Sequence, residues 1–422
     1  MQLLNTALHH MTRETTGNLS FDNTEYAFAY KSNQELKRAH FLFSSMGSPF
    51  LVNMGLALMP AAIKLHLPFT RPLIRSTIFR QFVGGETLEE TTRVADKLEK
   101  YKVNVILDYG VEGGVGENAF DHATEEFIKV IEYAATESNT PFMSIKVTGI
   151  SRFALLEKLD KAMHEKKGTL MKRYYQVIEE LSTTEKEEWH RAVNRLLKIC
   201  DKANLKKIAV LIDAEETWIQ DPVDALTILM MDTYNREKSV VYNTIQLYRS
   251  DRLQFLKDCH EAAKERDFIL GAKLVRGAYM EKERQRASEM GYPSPIQPDK
   301  TQCDNDYNQA VEFCINHIDE IALIVASHNE YSNLLATQLM QAKGIPAQHP
   351  HIHFSQLYGM SDNITFNLAK HGFSVSKYLP FGPIKDVVPY LMRRARENSS
   401  VAGQTGRELG LIKKELARRK SR

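Results

Sequence analysis

Short runs of apolar, often β-branched residues alternate with helical stretches from about residue 104 to residue 400. Continuously apolar strands that alternate with helices are typical of a parallel sheet covered on both faces. Eight such units predict an α/β fold, a closed (βα)8 TIM-like barrel rather than an open sheet. The eight predicted strands are Val105–Tyr109, Phe142–Val147, Ile208–Ile212, Thr244–Tyr248, Ile269–Val275, Ile321–Ala326, Ile352–Leu357 and Phe373–Leu379.

Two regions fall outside this alternation. The first 100 residues have apolar positions at helical spacing, for example in Asn33–Phe43, and predict an N-terminal helical region. The segment after the second strand is too long for one helix and predicts an extra helical insertion. Its helices are expected at Glu157–Lys166, Leu170–Leu181 and Thr184–Asn204. The expected domains are a helical region over residues 1–100, a barrel over 101–405 and a basic C-terminal tail over 406–422.

Composition narrows the class of protein. The chain has 422 residues and a formal net charge of +2, whereas a nucleic-acid binder normally carries a basic domain. With 43% hydrophobic and 26% charged residues, it has the composition of a globular protein rather than a disordered one. The four cysteines show no C-x-x-C pair, which predicts a reducing compartment and no cysteine zinc site. We expect a cytoplasmic enzyme that binds no nucleic acid.

Two segments of the sequence are candidates for membrane contact. The most apolar stretch, Phe50–Ile63, is interrupted by Asn53 and Pro60 and is too short to span a bilayer. It predicts a buried or interfacial helix. The C-terminal stretch Leu411–Arg422 has six basic residues opposed by Glu415 and is expected to be a solvated, fraying tail. The alternative is a basic segment that contacts anionic head groups, peripherally on the inner membrane.

Basic residues lie unusually deep in the predicted strands. Active sites of parallel barrels lie at the carboxyl ends of the strands, so polar residues there are informative. Lys146, Lys273 and Arg276 would be costly to bury without an anion. An ion pair with Asp213 or Glu215 accounts for one of them, and a bound polyanionic ligand is expected to account for the others.

The helix after the eighth strand carries a second basic feature. Tyr390, Arg393, Arg394 and Glu397 fall at i, i+3, i+4 and i+7, on one helix face. Two adjacent arginines can clamp a carboxylate or a phosphate through bidentate hydrogen bonds. A solvated patch in which Arg394 pairs with Glu397 explains the spacing equally well.

Five ordered motifs together resemble the proline dehydrogenase family. The resemblance extends from about residue 20 to residue 402 and includes Phe21-Asp-Asn-Thr-Glu-Tyr-Ala-Phe28 before the barrel. The motifs are Asp213-Ala-Glu-Glu, Lys273-Leu-Val-Arg-Gly-Ala-Tyr, Ser327-His-Asn, Tyr378-Leu-Pro-Phe-Gly and Leu391-Met-Arg-Arg-Ala-Arg-Glu-Asn.

The resemblance implies an FAD-dependent oxidoreductase that opens proline catabolism. Such an enzyme binds FAD noncovalently and transfers a hydride from C5 of L-proline to flavin N5, giving 1-pyrroline-5-carboxylate. Electrons then pass to quinone or another acceptor. The length of the chain leads us to expect a monofunctional member. Hydroxyproline dehydrogenase of the same family is the alternative substrate assignment.

The resemblance also implies roles for individual residues, and it implies no metal. Asp213 and Lys273 match catalytic or flavin-tuning positions. The substrate-binding positions are Lys146, Leu357, Tyr378, Arg393, Arg394 and Glu397. The cofactor-binding positions are Ala214, Gln246, Arg276, Gly277, Ala278, Ser327 and His328.

Some features depart from the family or leave other classes open. Lys273 stands where many members have arginine, and Met280 stands where fused bacterial members have tryptophan. A Schiff-base aldolase would use Lys146 or Lys273 as its barrel lysine. A non-catalytic scaffold would leave the strand cations without a ligand to neutralise them.

Overall fold

The strands of this chain form a closed parallel barrel. The computed structural model describes residues 19–65, 70–110, 114–400 and 402–421. Within them the strands follow one another around the barrel in chain order, from β1 to β8, as the sequence predicts. Their bounds are β1 Asn104–Tyr109, β2 Phe142–Ile145, β3 Ala209–Ile212, β4 Val241–Gln246, β5 Leu270–Val275, β6 Ile321–Ala326, β7 Ile352–Leu357 and β8 Val375–Phe381.

Two strands begin more than one residue away from the predicted start. Strand β4 begins at Val241 rather than Thr244, because Asn243 does not interrupt it: its side-chain amide donates to Asp224 Oδ1 at 2.9 Å. A polar residue with a buried partner is compatible with a fully buried strand. Strand β8 begins at Val375 and extends to Phe381, two residues beyond the predicted end.

The contacts divide the chain into two compact units. One unit comprises Ile106–Ser327 and Pro350–His353, and the other comprises Met1–Val105, His328–His349 and Phe354–Arg422. The units are called the β2–β6 unit and the terminal unit here, and each is described by itself. The predicted domain boundaries at residues 100 and 405 stay a prediction.

The β2–β6 unit contains the extra helices that the sequence predicts after β2. Ser182 begins the longest of them with a capping box to Glu185, which satisfies backbone N–H groups at the helix start. Trp189, fully buried, donates to the hydroxyl of Tyr174 at 2.9 Å and fixes the helix against its neighbour. The helices of this unit are Glu117–Ala134, Phe153–His164, Leu170–Glu180, Thr183–Lys206, Thr217–Tyr234, Arg252–Glu265, Met280–Met290 and Lys300–Asn316, with a 3-10 turn at Val147–Gly149.

The terminal unit has a hydrophobic core of its own, built from the N-terminal helices and the helices that follow β8. Phe43 and Phe82 pack edge to face in it, with ring centroids 6.2 Å apart. The helices are Thr24–Ala27, Asn33–Met46, Pro49–Lys64, Thr70–Ile74, Arg80–Phe82, Leu88–Glu99, Glu330–Ala342, Asp362–Lys370, Ile384–Ser400 and Ala402–Lys420, with a π-helical turn at Arg75–Phe79.

The basic C-terminal segment is a packed helix, so the expectation of a solvated, fraying tail is wrong. Leu411 and Ile412 are buried in the core of the terminal unit. Glu415 is fully buried and accepts hydrogen bonds from Arg418 and Arg419. Arg419 also donates to the carbonyl oxygens of Phe28 and Lys31, both at 2.8 Å. Apolar spacing and buried ion pairs therefore outweigh the net basic charge.

The predicted apolar helix near residue 50 is present as Pro49–Lys64. Phe50, Met54 and Leu58 are 74%, 45% and 60% exposed, and their spacing of four residues puts them on one face. None of the helices in the described part of the chain is long and apolar enough to cross a membrane.

Candidate active site

Three charged residues converge in the β2–β6 unit. Lys146 and Asp213 follow directly on the carboxyl ends of β2 and β3, and Lys273 lies within β5. Lys273 Nζ donates to Asp213 Oδ1, and Lys146 Nζ lies 3.8 Å from Asp213 Oδ2. Lys273 and Asp213 are buried. One carboxylate therefore faces two ammonium groups.

The three basic residues that the sequence places in the strands, Lys146, Lys273 and Arg276, all have carboxylate partners within this unit. Arg276 Nε donates to Asp304 Oδ1 at 2.7 Å, in addition to the pairing of both lysines with Asp213. The premise that these cations lack protein partners, from which a bound polyanionic ligand was expected, is therefore wrong. The sequence analysis considered only carboxylates at the strand ends, whereas Asp304 lies on the helix Lys300–Asn316.

The segment after β5 is held in place around Arg276. Its Nη1 donates to Ser327 Oγ at 2.7 Å, and its guanidinium lies over the ring of Tyr307, 4.3 Å from the centroid. Tyr307 in turn donates to the carbonyl oxygen of Leu274 at 3.2 Å. An arginine fixed by a carboxylate, a hydroxyl and a ring loses little entropy when it binds an anion.

Gly277 and Gln246 lie near the ends of β5 and β4. Gly277 is exposed, has φ of +143°, and a Cβ on it would lie 2.3 Å from the ring of Tyr248. The Tyr248 ring therefore occupies the place of a side chain at this position, and glycine is the residue that fits there. Gln246 Nε2 donates to the carbonyl oxygen of Glu215 at 3.0 Å, while its buried Oε1 has no partner among the described residues.

These features fit a flavin dinucleotide in the β2–β6 unit. Arg276 and Ser327 can bind a pyrophosphate, and Gln246 Oε1 can accept a hydrogen bond from a ring N–H. Ala214 and Ala278 carry small side chains that take up little space beside Asp213 and Gly277, and Ala278 is exposed.

A second carboxyl group lies beside this cluster. Glu215 is buried and accepts hydrogen bonds from Thr148, at 3.2 Å from the backbone N–H and 2.7 Å from the hydroxyl. Burial raises the pKa of Glu215 to about 7, although Thr148 and Lys146 act in the opposite direction. Thr148 was missed by the sequence analysis because it lies on the 3-10 turn after the strand rather than at the strand end.

In the terminal unit, Leu357 and Tyr378 lie side by side. They are register partners on β7 and β8, and both are half-buried. Lys377, which precedes Tyr378, is fully buried and pairs with Asp362 at 2.9 Å. Burial would raise the pKa of Asp362, but Lys31 and Lys377 lower it to about 2.

The predicted arginine clamp lies on the helix Ile384–Ser400. Arg394 is 6% exposed, Arg393 is half-buried, and the Arg394 guanidinium lies 5.3 Å from the ring centroid of Tyr390. Burial of Arg394 argues against a purely solvated patch. Glu397 belongs to the same helix, but its side chain lies outside the described residues.

His328 also lies in the terminal unit, after the end of β6. Its Nδ1 is hydrogen-bonded to Ser361 Oγ at 2.9 Å. The backbone N–H of Ser361 donates to Glu408, a buried carboxyl whose pKa burial raises to about 7. Glu408 was also missed, because it lies in the segment that was interpreted as a tail.

Comparisons with known proteins support one family. The family described as "Proline dehydrogenase" matches residues 91–407. The chain is 32% identical to proline dehydrogenase 1, mitochondrial, of Dictyostelium discoideum, over 94% of this chain and 74% of that protein. It is 30% identical to hydroxyproline dehydrogenase of Xenopus laevis, over 96% of this chain and 91% of that protein.

The fold is shared with a solved structure. Proline utilization A from Bdellovibrio bacteriovorus, inactivated by N-propargylglycine, superposes with a TM-score of 0.66 at 20% identity. The match covers 93% of this chain but only 40% of that longer protein. Barrel topology, the family match over three quarters of the chain and relatives of 30% identity or more agree: this chain belongs to the proline dehydrogenase family, a family of oxidoreductases.

Proposed function

We propose that the protein oxidises L-proline to 1-pyrroline-5-carboxylate with noncovalently bound FAD. The observation that carries this proposal is the pairing of both barrel lysines with Asp213. Lys273 donates to Asp213 and Lys146 lies 3.8 Å from it, whereas a Schiff-base aldolase needs a lysine whose amine is available to attack a carbonyl carbon. The pairing therefore favours an oxidoreductase over an aldolase, in agreement with the family.

FAD, when bound, supplies the acceptor for the hydride that leaves C5 of proline. We assign Arg276, Gly277, Ala278, Ser327 and His328 to its phosphates, ribityl chain and adenosine. Ala214 and Gln246 are assigned to the flavin ring. Lys273 places a fixed positive charge in the barrel, and Asp213 orients it.

Proline binding is assigned to a second group of residues. Arg393, Arg394 and Lys146 are proposed to bind the carboxylate of proline, and Glu397 is proposed to pair with the arginines. Charge-assisted bonds from guanidinium to carboxylate are short and directional, so they align the substrate as well as bind it. Tyr378 and Leu357 are proposed to contact the apolar ring.

Anaerobic reduction of the bound flavin tests this function. We expect the purified protein to be yellow and its visible absorbance to fall when L-proline is added, but not when D-proline is added. N-propargylglycine, which inactivates the Bdellovibrio protein, should inactivate this one. Borohydride trapping of a carbonyl substrate on Lys146 or Lys273, with no flavin present, would contradict the proposal.

We further propose that electrons pass to a membrane quinone and that the helix Pro49–Lys64 makes the membrane contact. Its exposed face of Phe50, Met54 and Leu58 is apolar, as an interfacial helix requires. Lys37 and Arg71, on the neighbouring helices, are exposed and complement anionic head groups. The packed C-terminal helix does not offer such a face.

A further inference from the structure

Two histidines and a glutamate bring their side chains together away from the candidate active site. His260 lies on the helix Arg252–Glu265, His317 caps the C-terminal end of the next helix but one, and Glu320 directly precedes β6. One ligand atom from each lies within 4.8 Å of the other two. Within the described residues, this is the one group of histidine, cysteine, aspartate and glutamate side chains that meets this condition.

Glu320 is the residue that both histidines approach. His260 Nε2 is 2.5 Å from Glu320 Oε2, and His317 Nδ1 is 3.9 Å from the same oxygen. The imidazole centroids of His260 and His317 are 4.5 Å apart. Phe313 packs against both rings, at 5.4 Å and 4.8 Å between centroids, and so restricts how they can turn.

Burial differs across the cluster in a way that suits an ion-binding site. The His260 side chain is 1% exposed, and its Nδ1 has no hydrogen-bond partner in the described structure. His317 and Glu320 are 40% and 46% exposed, so an ion and its remaining water can enter from solvent. The nearby charges, Glu261 at 3.8 Å from His260 and Lys264 at 4.0 Å from Glu261, nearly cancel.

The backbone holds two of these residues at the amino ends of strands. The N–H of Ile321, the first residue of β6, donates to the carbonyl oxygen of His317 at 2.9 Å. The N–H of Leu270, the first residue of β5, donates to the carbonyl oxygen of Glu320 at 3.0 Å. Active sites of such barrels lie at the opposite, carboxyl ends, whereas this end contributes to stability.

From this geometry we infer that His260, His317 and Glu320 form a binding site for a divalent transition-metal ion, Zn²⁺ in the first place, with water as the fourth ligand. Imidazole nitrogen and carboxylate oxygen are ligands that zinc prefers, and two histidines with one glutamate are a known zinc set. The ion would tie the helix Arg252–Glu265 to the start of β6. The site is separate from proline oxidation, and the inference does not rest on the proposed function.

Titration of the metal-depleted full-length protein with ZnCl₂ and with CoCl₂ tests the site. We expect one ion per chain, a cobalt absorption spectrum of tetrahedral type and a higher unfolding temperature with zinc. His317→Gln and Glu320→Gln each should weaken zinc binding by roughly tenfold or more, the effect that even outer-shell changes often have. Both residues are partly exposed, so these variants should fold. Flavin reduction by proline should be the same in both variants as in the parent.

Glu261→Gln is the matched control, because it removes a neighbouring negative charge without removing a ligand. We expect its zinc affinity to stay within about twofold of the parent, a small surface-charge effect. Absence of stoichiometric binding would overturn the inference. Equal affinity in the parent, His317→Gln and Glu320→Gln would also overturn it, since zinc would then bind elsewhere.

Discussion

Lys273 of β5 reaches past β4 to donate a hydrogen bond to Asp213, at the end of β3, and both side chains are buried. Breaking a buried pair typically costs about 3–5 kcal/mol when it leaves a charge uncompensated. In Lys273→Met, Lys146 Nζ still lies 3.8 Å from Asp213 and compensates part of that charge. We therefore expect Lys273→Met to lower the free energy of unfolding of the flavin-depleted protein by less than about 3 kcal/mol. Chemical denaturation measures it.

The double variant Asp213→Asn with Lys273→Met is the control for this pair. Because it removes both charges, it should regain part of the lost stability. A double variant as unstable as the sum of the two single variants would show that the two residues do not interact energetically.

The proposed carboxylate clamp predicts a loss of substrate affinity. Arg393→Met and Arg394→Met each remove a charge-assisted hydrogen bond, worth about 1.5–3 kcal/mol. The apparent proline affinity should fall roughly tenfold or more, while the flavin content is unchanged. Arg396→Met, an exposed position on the same helix, is the matched control. Proline titrations that give the same affinity for both clamp variants and the parent would refute the assignment.

Tyr378 is proposed to select between proline and 4-hydroxyproline. A phenol packed against the ring leaves little volume for a hydroxyl, and forcing extra atoms into a packed site costs about 1–3 kcal/mol. We expect a strong preference for L-proline, and a narrowed or reversed preference in Tyr378→Ser. The measurement is kcat/KM for both substrates in both proteins. The hypothesis fails if the parent already oxidises both with equal efficiency.

The buried carboxyl of Glu408 predicts a stability that falls as pH rises. Burial and Asp362 raise its pKa from 4.5 to about 7, against the opposing effect of Lys377 and Lys31. The folded state then binds the proton more tightly than the unfolded state, so this stability is fully present below pH 4.5 and is lost as pH rises through 7. Denaturation at pH 5 and pH 8 should show the loss, and Glu408→Gln should reduce it.

Glu415→Gln is the contrasting variant for this pH dependence. Glu415 is also buried, but Arg418 and Arg419 lower its pKa, so it stays charged over the same range. The change from pH 5 to pH 8 should therefore be the same as in the parent, even if the variant is less stable at both values. Glu215 contributes in the same direction as Glu408, so Glu408→Gln should flatten the profile only in part.

The proposed membrane face predicts binding to anionic vesicles. Phe50→Ser combined with Leu58→Ser removes most of the exposed apolar area of the helix and should weaken cosedimentation, as should added salt. Met290→Ser, at an exposed apolar position in the other unit, is the control. Equal binding of the parent and the double variant would place the contact elsewhere. Deletion of the C-terminal helix is unsuitable, because it removes part of a core.

The strands could be predicted because both faces of each strand are buried, which leaves continuous apolar runs in the sequence. The start of β4 was misplaced for a physical reason: Asn243 is polar but has a buried partner in Asp224, a pairing between distant positions. Helices of the insertion were predicted to within a few residues, since their apolar spacing is local.

Site residues at strand ends could be found by topology, but their partners could not. Asp304 lies on a helix far along the chain from Arg276, and no local pattern connects them. The C-terminal helix was misjudged because its charges were counted without the apolar spacing of Leu411 and Ile412. Charge predicts solvation only when no buried counter-charge, such as Glu415, is available.

The anchoring of Lys377 has a consequence for mutational studies of substrate choice. Successive residues of a strand point to opposite faces, so Lys377 faces away from the side on which Tyr378 lies. Lys377 pairs with Asp362 and donates to the carbonyl oxygen of Met360. These contacts hold the β8 backbone in place next to Tyr378. Substitutions at Lys377 or at its partner Asp362 should therefore alter substrate preference although Lys377 points away from the ring, and a library confined to the residues around the ring would miss them.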